Sequence, residues 1–260
     1  MIDIEFIRSF FQPTIAKESR FDRFMIKEYL QLLILDYLST TAYIHKVSFI
    51  GGTNLRLIQG IDRFSEDLDF DCKNLNREEF KEMTDGIVRY LLKNNIPVET
   101  RDRDNQHLTA FRRNLYFPQM LFNLGLSGHR EERLLLKVEA QDQEFPYQNT
   151  VANVNRMGFF FGVPVPPQEI LCAMKISAVL SRQKGRDFYD TIFLLSKTRP
   201  DMGFIHARCG ISSIEDLKAA ILIKLQEVDL SKKKRDFEHL LFNPTNAERI
   251  LRFDKVIEML

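Results

Sequence analysis

The chain has 260 residues, of which 44% are hydrophobic and 28% charged, so it is expected to form one or two globular domains rather than a disordered chain. Its 37 Lys and Arg residues nearly balance its 36 Asp and Glu residues, so any nucleic-acid or membrane partner would have to be met by a local patch. Three widely spaced cysteines, no leader-like segment and no long apolar run predict a cytoplasmic protein without disulfides or membrane spans.

The first half of the chain alternates between helix-like and strand-like segments. Apolar residues recur at helical spacing in 21–38 and again in 77–94. Strands are predicted at "VSFIGG", "DLDFD", "IPVET", "LTAFRRNLYF" and "RLLLKVEAQ". The segment "TNLRLI" after the first strand predicts a helix with Thr53 near its cap. This order predicts an α/β (α+β) fold with a small mixed sheet.

The second half carries helical patterns throughout. We interpret "FGVPVPP" as part of a loop-rich stretch that separates two domains, 1–163 and 164–260. Helices are predicted at "PQEILCAMKISAVLSRQ" and "RDFYDTIFLLSK", and near 213–228, 232–242 and 245–260. The C-terminal domain is therefore expected to be helical.

Two carboxylates follow each other at alternate positions of the predicted strand "DLDFD". Asp67 and Asp69 would share one face, with Cα atoms about 6.6 Å apart. Like charges at this spacing favour a counter-cation, and oxygen ligands favour Mg²⁺ or Mn²⁺ over zinc. The pattern predicts a metal site, although a solvated edge strand protected by acids would look similar.

The glycine turn before this strand is typical of a phosphate-binding loop. Gly51 and Gly52 allow the backbone to approach a phosphate closely, and the helix that begins near Thr53 would offer N–H groups. Arg56 could add a charge-assisted contact one turn into that helix. Ser65 lies two residues before Asp67 and would share its face.

Glu139, in "LLLKVEAQ", is the candidate for a third acid. It is a lone acid within an apolar strand, where burial without a partner would cost free energy. The alternative is a strand whose outward face carries Lys137 and Glu139.

The helices of the second half offer basic and acidic candidates. Lys175 and Arg182 are seven residues apart, so on one helix they would face the same side. Asp187 and Asp190 would likewise share a face. The alternatives are a solvated helix face and ordinary surface ion pairs.

In chain order, "GGTNLR", "RFSEDLDF", "LKVEA" and "LCAMKISAVLSRQKGRDFYDTIFLL" resemble the nucleotidyltransferase fold superfamily, and within it the AbiEii/AbiGii-type nucleotidyltransferases. That family contains toxins of type IV toxin–antitoxin and abortive phage-infection systems. The resemblance spans roughly residues 45 to 195. It implies a nucleotidyltransferase-like N-terminal domain and a helical domain that contributes Lys and Asp to the active site.

The resemblance also implies roles for individual residues. Asp67, Asp69 and Glu139 would be catalytic metal ligands, Lys175 would contact the triphosphate and Asp187 would be a catalytic acid, with Asp190 closing the same motif. The phosphate-side contacts would be Gly51, Gly52, Thr53, Arg56, Ser65, Lys175 and Arg182. Two positions depart from the usual pattern: Glu139 stands where many relatives have Asp, and Thr191 where the family usually has Leu.

The sequence thus predicts an enzyme that uses Mg²⁺ or Mn²⁺ to move a nucleoside monophosphate from an NTP to an acceptor hydroxyl. The resemblance suggests RNA, at the tRNA 3′ end, as acceptor, and a cognate antitoxin that acts without stable binding. Two alternatives stay open: transfer to a small molecule or protein, and a non-catalytic nucleotide-binding regulator.

Overall fold

The computed structural model describes residues 2–101 and 110–260, and it has the mixed α/β architecture that the sequence predicts. The helices are α1 (Ile4–Arg8), α2 (Pro13–Ala16), α3 (Asp22–Ser39), α4 (Gly51–Asn54), α5 (Arg77–Lys93), α6 (Met120–Asn123), α7 (Gln168–Ser181), α8 (Gly185–Leu195), α9 (Met202–Cys209), α10 (Ile214–Leu225), α11 (Leu230–Arg235) and α12 (Phe253–Glu258). The strands are β1 (Val47–Ile50), β2 (Leu68–Cys72), β3 (Glu99–Thr100), β4 (Phe111–Pro118), β5 (Arg133–Gln141), β6 (Thr150–Arg156) and β7 (Phe159–Val165).

The chain divides into two compact units. Unit 1 comprises 1–58, 64–144 and 149–165, and unit 2 comprises 59–63, 145–148 and 166–260. Two short segments that precede residue 163, 59–63 and 145–148, therefore belong to unit 2. The predicted domain limits, 1–163 and 164–260, stay a prediction. Among residues 2–101 and 110–260, no helix combines the length and the apolar composition that crossing a membrane requires.

Unit 1 is built on a five-stranded mixed sheet in the order β1-β2-β5-β4-β3. β2 and β5 are parallel, and the other neighbours are antiparallel. α5 begins with a capping box in which Asn76 and Glu79 exchange hydrogen bonds, as expected where an acid follows an N-cap residue by three positions. The predicted strands and helices of unit 1 are confirmed, except that only the last two residues of "IPVET" form a strand, β3. Positions 108 and 109 of "LTAFRRNLYF" lie outside the described residues.

The interpretation of "FGVPVPP" as loop is wrong. Its first five residues end β7, which forms an antiparallel hairpin with β6 around a turn at Met157 and Gly158. Both turn residues have positive φ, as the tightest hairpin turns require. Pro164 is tolerated because this is a two-stranded sheet, in which each strand has an edge that needs no N–H donor.

Unit 2 is helical, as predicted. Phe188 on α8 and Phe253 on α12 meet edge to face with ring centroids 5.1 Å apart, and both are fully buried. α9 was not predicted. The predicted helix 245–260 is wrong as a single element, because 244–252 is a 3₁₀ helix that begins at Pro244, and only α12 continues as α-helix.

Candidate active site

Asp67 and Asp69 lie at the start of β2. Asp67 immediately precedes the strand and Asp69 is its second residue. Exposure alternates along this segment, with both aspartates half-exposed and Leu68 and Phe70 buried. Because side chains alternate between the faces of a strand, the two carboxylates lie on the same, more exposed face.

Gly51 lies directly against the carboxylate of Asp69. Ile50 pairs with Asp69 across β1 and β2, so the residue after Ile50 turns beside that side chain. Gly51 has φ +76°, and a Cβ built on it would lie 2.1 Å from Asp69 Oδ2. Glycine alone combines this backbone conformation with such a close approach. The glycine turn and the acid pair, which the sequence shows 15 residues apart, therefore meet at one place in unit 1.

Thr53 holds the backbone of the acid pair. The helix begins at Gly51 rather than at Thr53, so Thr53 is the third residue of α4, next to Gly52. Its Oγ1 donates a 2.5 Å hydrogen bond to the carbonyl of Asp67, and its side chain is fully buried. The hydroxyl therefore connects the glycine turn to the start of β2.

Ser65 and Arg56 are both buried beside α3. Gln31 Nε2 on α3 donates a 3.1 Å hydrogen bond to the carbonyl of Ser65. Arg56 Nε donates a 2.8 Å hydrogen bond to Glu28 Oε2, a carboxylate that also pairs with Arg156. Both predicted phosphate contacts are thus in contact with the core of unit 1.

Glu139 lies on the same face as the acid pair, one strand away. In the parallel register of β2 and β5, Asp69 pairs with Glu139. Exposure alternates along β5, so Lys137 and Glu139 share its half-exposed face, as the alternative interpretation held. Arg112, which pairs with Glu139 across β4 and β5, places Nε 2.8 Å from Glu139 Oε1.

Lys137 is a member of this site that the sequence analysis treated only as an outward residue. Its backbone N–H donates to Asp67 Oδ1 at 3.2 Å, and its Nζ lies 3.5 Å from Asp67 Oδ2. The alternation of Lys137 with Glu139 was visible in the sequence. The register that brings Lys137 to Asp67 and Arg112 to Glu139 was not.

Two carboxylates fit a magnesium or manganese ion that takes its remaining ligands from water and substrate. Mg²⁺ is usually held by one or two carboxylates together with phosphate oxygens. Among the residues that the structure describes, no three His, Cys, Asp or Glu side chains are grouped as a metal cluster. Asp67 and Asp69 offer the one or two carboxylates with which a protein shares such an ion with a nucleotide.

In unit 2, Lys175 is buried in an ion cluster with Asp190. Lys175 Nζ lies 2.7 Å from Asp190 Oδ2, and Arg63 makes a two-pronged contact with the same carboxylate at 2.7 Å for each bond. Burial raises the pKa of Asp190, but the positive charges of Arg63 and Lys175 outweigh it and bring that pKa to about 2. The role of Arg63 could not be read from the sequence.

Asp187 is fully buried at the start of α8. It accepts hydrogen bonds from Arg182 at 2.8 and 3.0 Å and from the backbone N–H of Lys184 at 3.2 Å. The last contact caps the helix, since Asp187 reaches back to the residue before its first turn. α7 ends at Ser181, so Arg182 and Lys175 do not share one helix as predicted, and they bind different aspartates.

Two solved structures, one of them a nucleotidyltransferase toxin, have a similar fold. MenT4, a nucleotidyltransferase toxin from Mycobacterium tuberculosis, is similar with a TM-score of 0.58 at 14% identity, over 99% of each chain. JHP933 from Helicobacter pylori is similar with a TM-score of 0.53 at 20% identity, over 91% of this chain and 90% of its own. At these identities the likeness shows the fold alone. Comparison with curated proteins gives no significant match.

The family comparison is specific. The model described as nucleotidyl transferase AbiEii toxin of the type IV toxin–antitoxin system matches residues 33–248, and the chain belongs to that family. The predicted family, fold class and enzyme class are confirmed. A nucleotide substrate and an antitoxin partner follow from membership at the level of the family.

Proposed function

We propose that this nucleotidyltransferase moves a nucleoside monophosphate from an NTP to an acceptor hydroxyl with release of pyrophosphate, and that Asp67 and Asp69 are its divalent-ion ligands. The observation that carries the proposal is the contact of Gly51 with Asp69, because it puts backbone without a side chain beside two carboxylates. An ion shared between carboxylates and a triphosphate needs such an approach.

Each residue of the acid site then has a task. Asp67 and Asp69 hold Mg²⁺ or Mn²⁺, which when bound lowers the pKa of the acceptor hydroxyl and neutralises charge on the triphosphate. Gly51 and Gly52 leave room for the phosphates. Glu139 completes the acid set, either as a further ligand or as the acceptor of the hydroxyl proton.

The remaining residues support the site from around it. Thr53 fixes the Asp67 backbone. Ser65 and Arg56 are proposed phosphate-side contacts, in keeping with the resemblance to the family.

Lys175, Arg182 and Asp187 carry proposals that come from the resemblance. Lys175 would contact the triphosphate and Asp187 would act as a catalytic acid, with Arg182 on the nucleotide side. Each of them already has a close partner within unit 2, so a substrate contact requires it to exchange or share that partner.

We propose RNA as the acceptor, at the tRNA 3′ end, in the cytoplasm. Membership of a toxin family supports this acceptor, because a nucleotide added to the tRNA 3′ end would block aminoacylation and so stop growth. The cognate antitoxin is proposed to act without stable binding.

The test is transfer of label. The full chain is incubated with each α-labelled NTP, Mg²⁺ and total RNA, beside Asp67→Asn, Asp69→Asn and the matched control Asp36→Asn, a half-exposed carboxylate on α3. We expect label on tRNA-sized RNA with wild type and Asp36→Asn, and none with the two site variants.

The outcomes separate the alternatives. Label on protein or on small metabolites would refute the RNA acceptor and keep the transfer chemistry. A wild-type protein that binds NTP but releases no pyrophosphate with any acceptor would refute transfer and favour a nucleotide-binding regulator.

A further inference from the structure

Lys137 makes two contacts to one carboxylate, and only one of them depends on its side chain. Its backbone N–H donates to Asp67 Oδ1 at 3.2 Å, and its ammonium lies 3.5 Å from Oδ2. The position follows from the parallel register, in which Leu68 pairs with Val138, so Asp67 and Lys137 are neighbours one residue earlier. The backbone contact orients Asp67 whatever side chain position 137 carries.

The ammonium of Lys137 supplies the positive charge that the paired carboxylates require. Two like charges on one face of a strand repel unless a cation lies beside them. Lys137 provides it for Asp67, and Arg112 does the same for Glu139. A divalent ion on Asp67 would meet the Lys137 ammonium at the same carboxylate, where the two cations repel each other.

We propose that Lys137 is a positioning residue that serves as the internal counter-cation of Asp67, and that a divalent ion must displace its ammonium to bind. The inference rests on the proposed function, in which Asp67 and Asp69 are metal ligands. Once displaced, the ammonium would gain an anionic partner in the phosphates of a nucleotide that shares the ion with Asp67. Ion and nucleotide therefore load together, and the ion alone binds weakly.

The experiment is calorimetric titration of Mn²⁺ into the full chain without nucleotide, for wild type and Lys137→Met. Removing the competing charge should tighten Mn²⁺ binding by roughly two- to five-fold, the range expected of a partly exposed ion pair. A merely structural lysine would give the opposite result or none. Lys137→Arg, which keeps the charge, should bind Mn²⁺ as weakly as wild type.

The matched control is Lys46→Met. Lys46 pairs with Glu79, and the exposure of these side chains, 36% and 30%, is similar to that of Lys137 and Asp67, 34% and 21%. Lys46 immediately precedes β1, at the opposite end of the strand from Gly51. Its removal should leave Mn²⁺ affinity unchanged. Thermal unfolding of each variant shows that the compared proteins are folded.

Equal or weaker Mn²⁺ binding by folded Lys137→Met would overturn the inference and leave the proposed function standing. If neither protein takes up Mn²⁺, with or without NTP, the metal site itself is refuted and the inference falls with it. If Lys137→Met binds Mn²⁺ more tightly than wild type, and adding Asp67→Asn to that variant abolishes the binding, both the metal site and the inference are established.

Discussion

Replacing Gly51 with alanine tests the geometry on which the proposed active site depends. The left-handed backbone at φ +76° costs an L-residue about 1–2 kcal/mol. The new Cβ would also lie 2.1 Å from Asp69 Oδ2 and 2.6 Å from Asp69 Cβ, so Asp69 must move, at a cost of about 1–3 kcal/mol for overpacking. We expect Gly51→Ala to lower the free energy of unfolding by about 2–5 kcal/mol.

The control is Gly125→Ala in the same unit. Gly125 has φ +71°, and a Cβ built on it meets nothing within 4 Å, so it isolates the cost of the backbone conformation. Urea unfolding gives both free energies, and label transfer gives both activities. Displacement of Asp69 by about 1 Å should reduce transfer about 100-fold in Gly51→Ala, while Gly125→Ala stays active. If the two variants have equal stability and equal activity, Gly51 does not shape the acid site and the reasoning is wrong.

Three further predictions concern charged groups. Asp190→Asn leaves Arg63 and Lys175 buried without their carboxylate, so we expect the free energy of unfolding, measured in urea, to fall by about 3–5 kcal/mol. The control Glu258→Gln, which removes one partner of an exposed ion pair, should change it little. Because the pKa of Asp190 is lowered to about 2 on folding, its contribution is fully present above pH 4 and is lost as pH falls towards 2. This group should lower the free energy of unfolding of the wild type by about 2 kcal/mol over that pH range. If the stability of Asp190→Asn falls as steeply with pH between 4 and 2, the lowered pKa of Asp190 is contradicted. Glu139→Gln should retain more Mn²⁺ binding than Asp67→Asn or Asp69→Asn, because Arg112 lies closer to Glu139, at 2.8 Å, than Lys137 lies to Asp67, at 3.5 Å. A reversed ranking in calorimetry would make Glu139 the principal ligand.

Local patterns in the sequence were sufficient to predict α3, α5 and the strands β1, β2, β4 and β5, but not every regular element. The segment of α5, for example, was identified because its apolar residues recur on one face, which must be buried. The β6–β7 hairpin was missed because its exposed face mixes polar residues with Val151 and Phe160, which are 71% and 72% exposed, so hydrophobicity does not alternate.

The candidate residues were predicted, but their partners were not. Side chains alternate between the two faces of a strand, so the sequence alone predicts that Asp67 and Asp69 lie on the same face. Which basic residue lies beside each acid depends on strand register and tertiary packing. Arg112 and Glu139 are 27 residues apart, and Arg63 and Asp190 are 127 apart. No local pattern connects residues at such separations.

The ion pairs of the candidate site differ in the free energy needed to separate the partners so that one of them can bind a substrate or a metal ion. The pair of Lys137 and Asp67 is partly exposed, so water screens it and replaces it readily. The pair of Lys175 and Asp190 is buried, so removing either partner leaves an uncompensated charge. Loss of activity in a Lys175 variant would therefore report on folding as well as on chemistry. Loss of activity in an Asp67 variant, which disturbs only half-exposed groups, would report on the chemistry itself.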